Sequence, residues 1–319
     1  MLSIVIPTRM RPETATRTLR SIAGQEFDFA ALEIIVVVDG CAAGSADAVH
    51  ATPMPCDVVV VEQDRQGQAG ARNRGAGRAR GEHLLFLDDD MVLRQGFLRA
   101  VESALIESAD VALTTTGVGD WVAHTVTTGE ARRWYTEANE APLTHIGFYN
   151  VHFCATGARR AVFEATGGFD EAFTAGGAYG NEDIELGYRL LRAGADIRHA
   201  AGAVADTEAC TDPDELMRRM TDVGRNDVRL ARKHPELAGV LFGRKRQNSA
   251  IYRVTGRLLL MAPWAALADR PLRAAFRAAM RSGRDGPVVY RLWFTVRALR
   301  YWDGVLRAGG RDLVRSTAA

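Results

Sequence analysis

The apolar run Leu84-Leu85-Phe86-Leu87 ends, without a spacer, in Asp88-Asp89-Asp90. Consecutive bulky apolar residues bounded by polar ones read as a short buried strand. Three adjoining carboxylates at its end repel one another, and burying even one ionised carboxylate is costly unless a cation shares the site. A hard divalent ion, Mg²⁺ or Mn²⁺, held by one or two carboxylates plus substrate phosphates, relieves that repulsion. A solvated turn would leave it to water. Both readings fit the triplet taken alone, and its surroundings favour the first.

Those surroundings are further strands that end in polar groups. Ser3 to Pro7 is a short apolar run followed by Thr8, Arg9 and Arg11, and Pro12-Glu13 opens a helix predicted to reach about Ala23. Leu32 to Val38 is a second buried strand stopped by Asp39-Gly40, and Val58 to Val61 a third. Beyond the triplet, Arg94 to Ser108 patterns as an amphipathic helix and Val111 to Thr115 as a strand. Strands alternating with helices predict an α/β fold: a doubly wound, mostly parallel, Rossmann-like sheet with ligands at the strands' carboxyl ends. Thr8, Asp39 and Asp88 to Asp90 all fall at such ends.

Two glycine-rich segments bear on the site. In Gly67-Gln68-Ala69-Gly70-Ala71-Arg72-Asn73-Arg74-Gly75-Ala76-Gly77, backbone N–H groups and Arg72 suit a phosphate, while the small residues equally suit a helix packed tightly on the sheet. The segment has neither dinucleotide-fingerprint nor P-loop spacing. Gly176-Gly177-Ala178-Tyr179-Gly180 leads into Asn181, a candidate N-cap, and a helix predicted to run to Gly194 with Glu182 and Asp183 in its first turn. Acidic residues are routine there, but a glycine-rich loop directly ahead of them also suits a lid beside an active site. Between these segments, residues 117–150 carry Trp121, His124, Trp134, Tyr135, His145, Phe148 and Tyr149, which read either as an acceptor surface or as core.

Apolar residues make up 47% and charged residues 25% of the 319, an ordinary globular balance with room for one large domain and an appendage. Cys41, Cys56, Cys154 and Cys210 are scattered, which excludes a disulfide scaffold or metal finger and points to a reducing compartment. The expected location is cytoplasmic: the start lacks a leader pattern and no stretch of 18 apolar residues suggests a membrane span.

Charge divides the chain. From Arg244 onward there are 16 Lys/Arg against 4 Asp/Glu (+12), which leaves 24 against 35 (−11) in residues 1–243. The expected domains are therefore a catalytic body over 1–243 and a basic helical extension over 244–319. Residues 214–234, rich in Arg218, Arg219, Arg225 and Arg229, pattern as a helix expected to cover the candidate site with an arginine near a bound phosphate. In the extension, Arg253, Arg257 and Pro263 interrupt an apolar stretch over 251–267. Arg273, Arg277 and Arg281 recur opposite Leu272, Phe276 and Met280, and Tyr290, Trp293, Phe294, Tyr301, Trp302 and Val305 repeat at helical spacing. Cationic helices with aromatic faces suit a membrane interface, here the inner face of the cell membrane. They suit equally well packing on the body or on a second copy in a homodimer. No nucleic-acid module is visible, and no nucleic-acid partner is expected.

Together the motifs resemble family 2 glycosyltransferases, nucleotide-sugar-dependent inverting enzymes of the GT-A fold. The resemblance runs from about Leu2 to about Glu208. It is carried by Ile4-Val5-Ile6-Pro7-Thr8, Glu33-Ile34-Ile35-Val36-Val37-Val38-Asp39-Gly40, Ala71-Arg72-Asn73-Arg74-Gly75, Phe86-Leu87-Asp88-Asp89-Asp90, Gly167-Gly168-Phe169-Asp170-Glu171 and Glu182-Asp183-Ile184-Glu185-Leu186.

The resemblance implies a metal-dependent transfer of one sugar from a nucleoside-diphosphate sugar, UDP being the commonest nucleotide, to a hydroxyl of a lipid-linked, glycan or small-molecule acceptor. Pro7, Thr8 and Asp39 would line the base pocket, with Arg9, Arg72, Asp88 and Asp89 also facing the donor and Asp88 nearest the ribose. Asp90 would ligate Mn²⁺ or Mg²⁺, Asp183 would be the catalytic base, and Glu182 would orient the acceptor. Where relatives often place a histidine ligand after a later strand, predicted here over Ala200 to Ala205, this chain has Asp206-Thr207-Glu208, and Asp206 is the candidate substitute. Only Asp39 stands where relatives often have two acids, and the Gln-x-x-Arg-Trp motif of processive synthases is absent. The alternatives are a degenerate nucleotide-binding or interaction protein and, less favoured, a sugar-nucleotide nucleotidyltransferase, whose glycine-rich loop after the first strand is missing.

Overall fold

The computed structural model describes residues 1–9, 11–40, 44–139, 147–208, 212–247, 249–261, 269–281 and 286–316. His145, Cys41, Cys210 and Pro263 lie outside the described residues. The chain forms two compact units. The first comprises Met1–Val122, Ala131–Gly177 and Glu182–Ala209; the second comprises Ala123–Glu130, Ala178–Asn181 and Cys210–Ala319.

Among the described residues the first unit holds eight strands: β1 (Leu2–Thr8), β2 (Leu32–Asp39), β3 (Asp57–Gln63), β4 (His83–Leu87), β5 (Met91–Leu93), β6 (Val111–Val118), β7 (Ala155–Arg159) and β8 (Ile197–Thr207). They form one sheet in the order β3-β2-β1-β4-β7-β6-β8-β5. The half β3-β2-β1-β4 is parallel, as expected, with Ile4 opposite Ile34 and Leu85. The other half is mixed. β7 runs antiparallel to both β4 and β6, β6 and β8 are parallel, and β5 returns antiparallel to β8.

Strands β1, β2 and β4 are buried at every position, because helices cover both faces and each face takes alternate residues. The helices are α1 (Pro12–Ala23), α2 (Ser45–His50), α3 (Gln68–Ala76), α4 (Phe97–Glu107), α5 (Val126–Asn139), α6 (Arg160–Ala165) and α7 (Glu182–Arg192). On one face Ile4, Ile6, Ile34, Val36 and Leu85 pack with Leu19 and Ile22 of α1 and Phe97 and Val101 of α4. On the other, Val5, Ile35, Val37, Leu84 and Phe86 pack with Ala69 and Ala71 of α3, Phe163 of α6 and Leu186 and Leu190 of α7. The glycine-rich segment thus becomes a helix pressed on the sheet. A Cβ at Gly75 would lie 2.3 Å from Val5 Cγ1, so only glycine permits that approach.

The second unit contains α8 (Pro213–Lys233), α9 (Ala238–Gln247), α10 (Ala250–Met261), α11 (Asp269–Arg281), α12 (Pro287–Arg307) and α13 (Arg311–Ser316). It begins ahead of position 244, where the charge balance changes. Helices α8 and α12 cross backbone to backbone: a Cβ at Gly224 would meet the Tyr301 carbonyl oxygen at 2.1 Å. The repeating aromatic residues of α12 are the core of this unit. Trp293 stacks on Phe276 at 5.0 Å, Trp302 Nε1 donates to the Tyr252 carbonyl at 2.8 Å, and Tyr301 Oη donates to Asp227 at 2.6 Å. Of the two readings of this repeat, packing accounts for Trp293, Tyr301, Trp302 and Val305, which are all buried, while Tyr290 and Phe294 are partly buried. Two members of the basic repeat are likewise partnered. Arg273 pairs with Asp269 at 2.9 Å and Arg277 with Asp214. Among the described residues no helix is long and apolar enough to cross a membrane.

Candidate active site

The site lies at the carboxyl ends of β1, β2 and β4 and the N-terminus of α7, all in the first unit. At the end of β1, the buried Thr8 hydroxyl donates to Asp89 Oδ2 at 2.7 Å. The Thr18 hydroxyl of α1 donates to the Asp89 carbonyl at 2.9 Å, fixing the turn that carries the triplet. Arg11, at the N-cap of α1, donates to Asp89 Oδ1 and, at 2.9 Å, to Asp90 Oδ2. Asp89 is enclosed. Burial, reinforced by the charges of Asp90 and Asp88, outweighs Arg11 and the Thr8 hydroxyl and pushes its pKa up to about 7. Asp90 stays partly exposed, with 20% of its side chain accessible.

Asp88 faces the other way. Its Oδ1 accepts from Arg72 Nη2 and from Gln68 Nε2, each at 2.8 Å. Burial raises its pKa against the pull of Arg72. Arg72 reaches on to Glu182 Oε1 at 3.0 Å and lies 5.3 Å from the Phe169 ring centroid. This placement differs from the phosphate-facing one the glycine-rich segment suggested. Arg72 is 3% exposed and two carboxylates take both terminal nitrogens, so it is a counter-ion within the site.

At the start of α7 two adjacent carboxylates titrate apart. For Glu182, burial and then the charge of Asp183 outweigh Arg72 and push the pKa to about 7. Glu182 Oε2 is buried without a hydrogen-bond partner among the described residues. Asp183 is lowered. Burial would raise it, but the hydrogen bond and charge of His152, the charge of Arg72 and the Ile184 N–H together prevail. Asp183 Oδ1 accepts from that N–H at 2.7 Å, and Oδ2 lies 3.3 Å from His152 Nδ1. Asn181, the expected N-cap, has φ +74° and turns its amide to Asp227 at 2.7 Å.

The remaining predicted residues separate. Pro7 is buried in β1, and Arg9 is exposed. Asp39 closes a turn: Oδ1 accepts from Gln63 Nε2 and the Gln66 N–H, both at 2.8 Å, and Oδ2 from the Gly67 N–H at 2.9 Å. One N–H of the glycine-rich segment is thereby occupied. Asp206 stands on β8 opposite Val92, and Arg94 donates to both its oxygens at 2.7 and 3.0 Å. None of these bonds joins it to the triplet. β8 starts earlier than the strand predicted over Ala200 to Ala205, and His199 lies within it. Sequence reasoning missed Arg11 as the triplet's partner, Gln68 and His152. Arg11, just beyond a strand end, and Gln68, inside the glycine-rich segment, had a positional signal, and His152 had none.

Five carboxylates (Asp88, Asp89, Asp90, Glu182, Asp183) thus share two arginines, and this excess of negative charge suits a cation. Among the described residues no three His, Cys, Asp or Glu side chains converge to enclose a metal on their own. The donor set therefore fits an ion that shares ligands with a substrate phosphate.

Residues 3–167 match the sequence model of glycosyl transferase family 2. The chain is 30% identical over 243 residues to the pre-mycofactocin glycosyltransferase of Mycobacterium tuberculosis, an alignment covering 74% of this chain and 48% of that protein. The chain therefore spans about half the length of this curated relative. Its fold is similar to that of a mannosyltransferase from Pyrobaculum calidifontis in complex with GDP-Man and Mn²⁺, with a TM-score of 0.62 and 18% identity over 96% of this chain and 86% of the other. It is also similar to S. aureus TarS in complex with UDP, with a TM-score of 0.55 and 17% identity over 99% and 90%.

Proposed function

We propose that this chain, which belongs to glycosyl transferase family 2, transfers one sugar from a nucleoside-diphosphate sugar to an acceptor hydroxyl by a single inverting displacement. The observation that carries this reading is Arg72, whose two terminal nitrogens join Asp88 at the end of β4 to Glu182 at the start of α7. One guanidinium thereby fixes a donor-facing carboxylate against the pair that meets the acceptor.

In this reading Asp183, lowered by His152 and partly exposed, is anionic at neutral pH and takes the proton from the attacking hydroxyl. Glu182, neutral to about pH 7, orients the acceptor through its unpartnered oxygen. One base acting in one displacement inverts the anomeric centre. A divalent cation, Mn²⁺ or Mg²⁺, would supply Lewis-acid stabilisation of the departing diphosphate, with Asp90 as the side chain that would hold it. Asp88, Pro7 and Thr8 frame the ribose and base, where Asp39 acts by holding the Gln66–Gly67 turn.

Calorimetric titration with UDP, dTDP and GDP, each with and without Mn²⁺, tests the donor half. Metal-dependent binding of one nucleotide, with UDP expected, supports it, and no binding by any overturns it in favour of a degenerate family member. Asp183→Asn tests the base. Transfer should be lost with nucleotide affinity retained, and full activity would remove Asp183 from the reaction.

A further inference from the structure

His152 belongs to none of the sequence motifs, yet it touches the residue on which the proposed chemistry turns. It lies just ahead of β7, between Val151 and Phe153, both fully buried, and its own carbonyl accepts from the Thr156 hydroxyl at 2.5 Å. The backbone is therefore pinned while the imidazole, 17% exposed, projects to Asp183, which is 22% exposed. Trp134 of α5 packs edge-on against the ring at 4.7 Å between centroids. Beyond the ring lies a recess lined by Trp134, Asn150 and His199.

Asp183 has two oxygens and two constraints. The Ile184 N–H holds Oδ1, and Nδ1 of His152 holds Oδ2. The other charged groups that act on Asp183 are Glu182 on its own helix and Arg72 from α3. Arg72 is already shared between Asp88 and Glu182. The buried Cys154 thiol, pushed up to about 12, also feels the Asp183 charge but makes its hydrogen bond to Thr116. Among the described residues His152 is therefore the ring hydrogen-bonded to Asp183 and to no other carboxylate. Removing it leaves a partly buried carboxylate beside a second carboxylate, with only the shared Arg72 to oppose protonation.

We propose that His152 is the positioning residue for Asp183: its imidazole, packed against Trp134, keeps the carboxylate ionised and turned toward the acceptor. The inference rests on the reading of Asp183 as base. It assigns His152 no contact with the donor.

The test uses the full chain labelled with [4-¹³C]aspartate, in which the carboxyl resonance missing from Asp183→Asn identifies Asp183. In His152→Gln and His152→Asn the midpoint of that resonance should rise by about one pH unit or more, because a partly buried carboxylate beside Glu182 has then lost the imidazole against its Oδ2. The acid limb of nucleoside-diphosphate release from the bound sugar nucleotide should rise with it, and Mn²⁺-dependent nucleotide affinity should stay within about twofold. An unmoved midpoint in both variants overturns the proposal, as does a tenfold loss of nucleotide affinity. If Asp183→Asn remains fully active while His152→Gln moves the resonance, the base assignment fails and the pairing stands. If Asp183→Asn is inactive and the midpoint is unmoved, the assigned base survives and His152 has no such role.

Discussion

The side-chain amide of Asn73 and the backbone of Phe169 exchange two hydrogen bonds, each 2.9 Å, between residues 96 apart in sequence. A third bond from Asn73, also 2.9 Å, reaches Glu171. The amide acts as a short piece of strand, holding the Gly167–Glu171 segment on α3. That places the Phe169 ring against both Arg72 and Phe86. Asn73→Ala leaves a donor and an acceptor of Phe169 unmatched and should cost about 2 kcal/mol. A lower denaturant midpoint with an unchanged slope would show it.

Arg72 makes a sharper prediction. Removing one partner of a buried ion pair costs roughly 3–5 kcal/mol, because the other charges stay buried and unmatched. Arg72→Met should lose about that much and weaken Mn²⁺-dependent nucleotide binding at least tenfold, since Asp88 keeps only its bond from Gln68. Arg72→Lys should fall between, because one ammonium cannot span Asp88 and Glu182 as the fork does. Adding Glu182→Gln to Arg72→Met should restore part of the stability, as only Asp88 then remains unpaired. Additive losses in the thermal midpoints of the double variant would count against the bridge.

How far the sequence reached follows from which signals are local. β1, β2 and β4 were legible because a parallel strand covered on both faces is a continuous apolar run. α1 was legible to its ends, Pro12 and Ala23, through proline at its first turn. β7, Ala155–Arg159, was not, because it sits on a crowded part of the sheet where small residues are required. A Cβ at Gly157 would lie 2.7 Å from Val101 Cγ1, and such a strand carries no apolar signature. Asp88 and Asp183 were marked as site residues by strand ends and the resemblance. The position of Arg72 was not readable, because its partners are 16 and 110 residues away and a buried bridge has the same local sequence as a phosphate contact. The aromatic repeat of α12 was ambiguous for the same reason, as periodicity reports that a face is covered and not by what.

Asp90 and Asp206 should part company on mutation. Asp90 has one oxygen on Arg11 and remains partly accessible, whereas both oxygens of Asp206 are taken by Arg94. Asp90→Ala is expected to abolish the Mn²⁺ dependence of nucleotide binding. Asp206→Ala should leave that dependence intact and lower stability by about 1–2 kcal/mol through the lost charged hydrogen bonds. Equal loss of the metal effect in both variants, read by calorimetry, would return Asp206 to the ligand set.

The carboxylate cluster also sets a pH dependence whose sign can be worked out. Asp89 and Glu182 titrate at about 7 in the folded chain against ordinary values of 3.8 and 4.5. Between those limits the folded state holds protons that the unfolded state has released, so stability falls as pH rises from about 4.5 to about 7. Asp183 runs the opposite way. Its lowered pKa contributes stability above its ordinary 3.8 that is lost on further acidification. These groups should make the metal-free chain more stable near pH 5 than at pH 7.5, by about 5 °C in thermal midpoint after the opposing effect of His83 and His199, whose burial lowers their pKa and costs stability below 6.5. Asp89→Asn and Glu182→Gln should each remove part of that slope. Mn²⁺ with the bound nucleotide should flatten it, since a cation shared with the diphosphate neutralises the charge that burial penalises. A thermal midpoint that does not change between pH 5 and 7.5 in the metal-free protein would mean that both carboxylates are ionised throughout, and the excess negative charge would then have to be met by a group other than a proton.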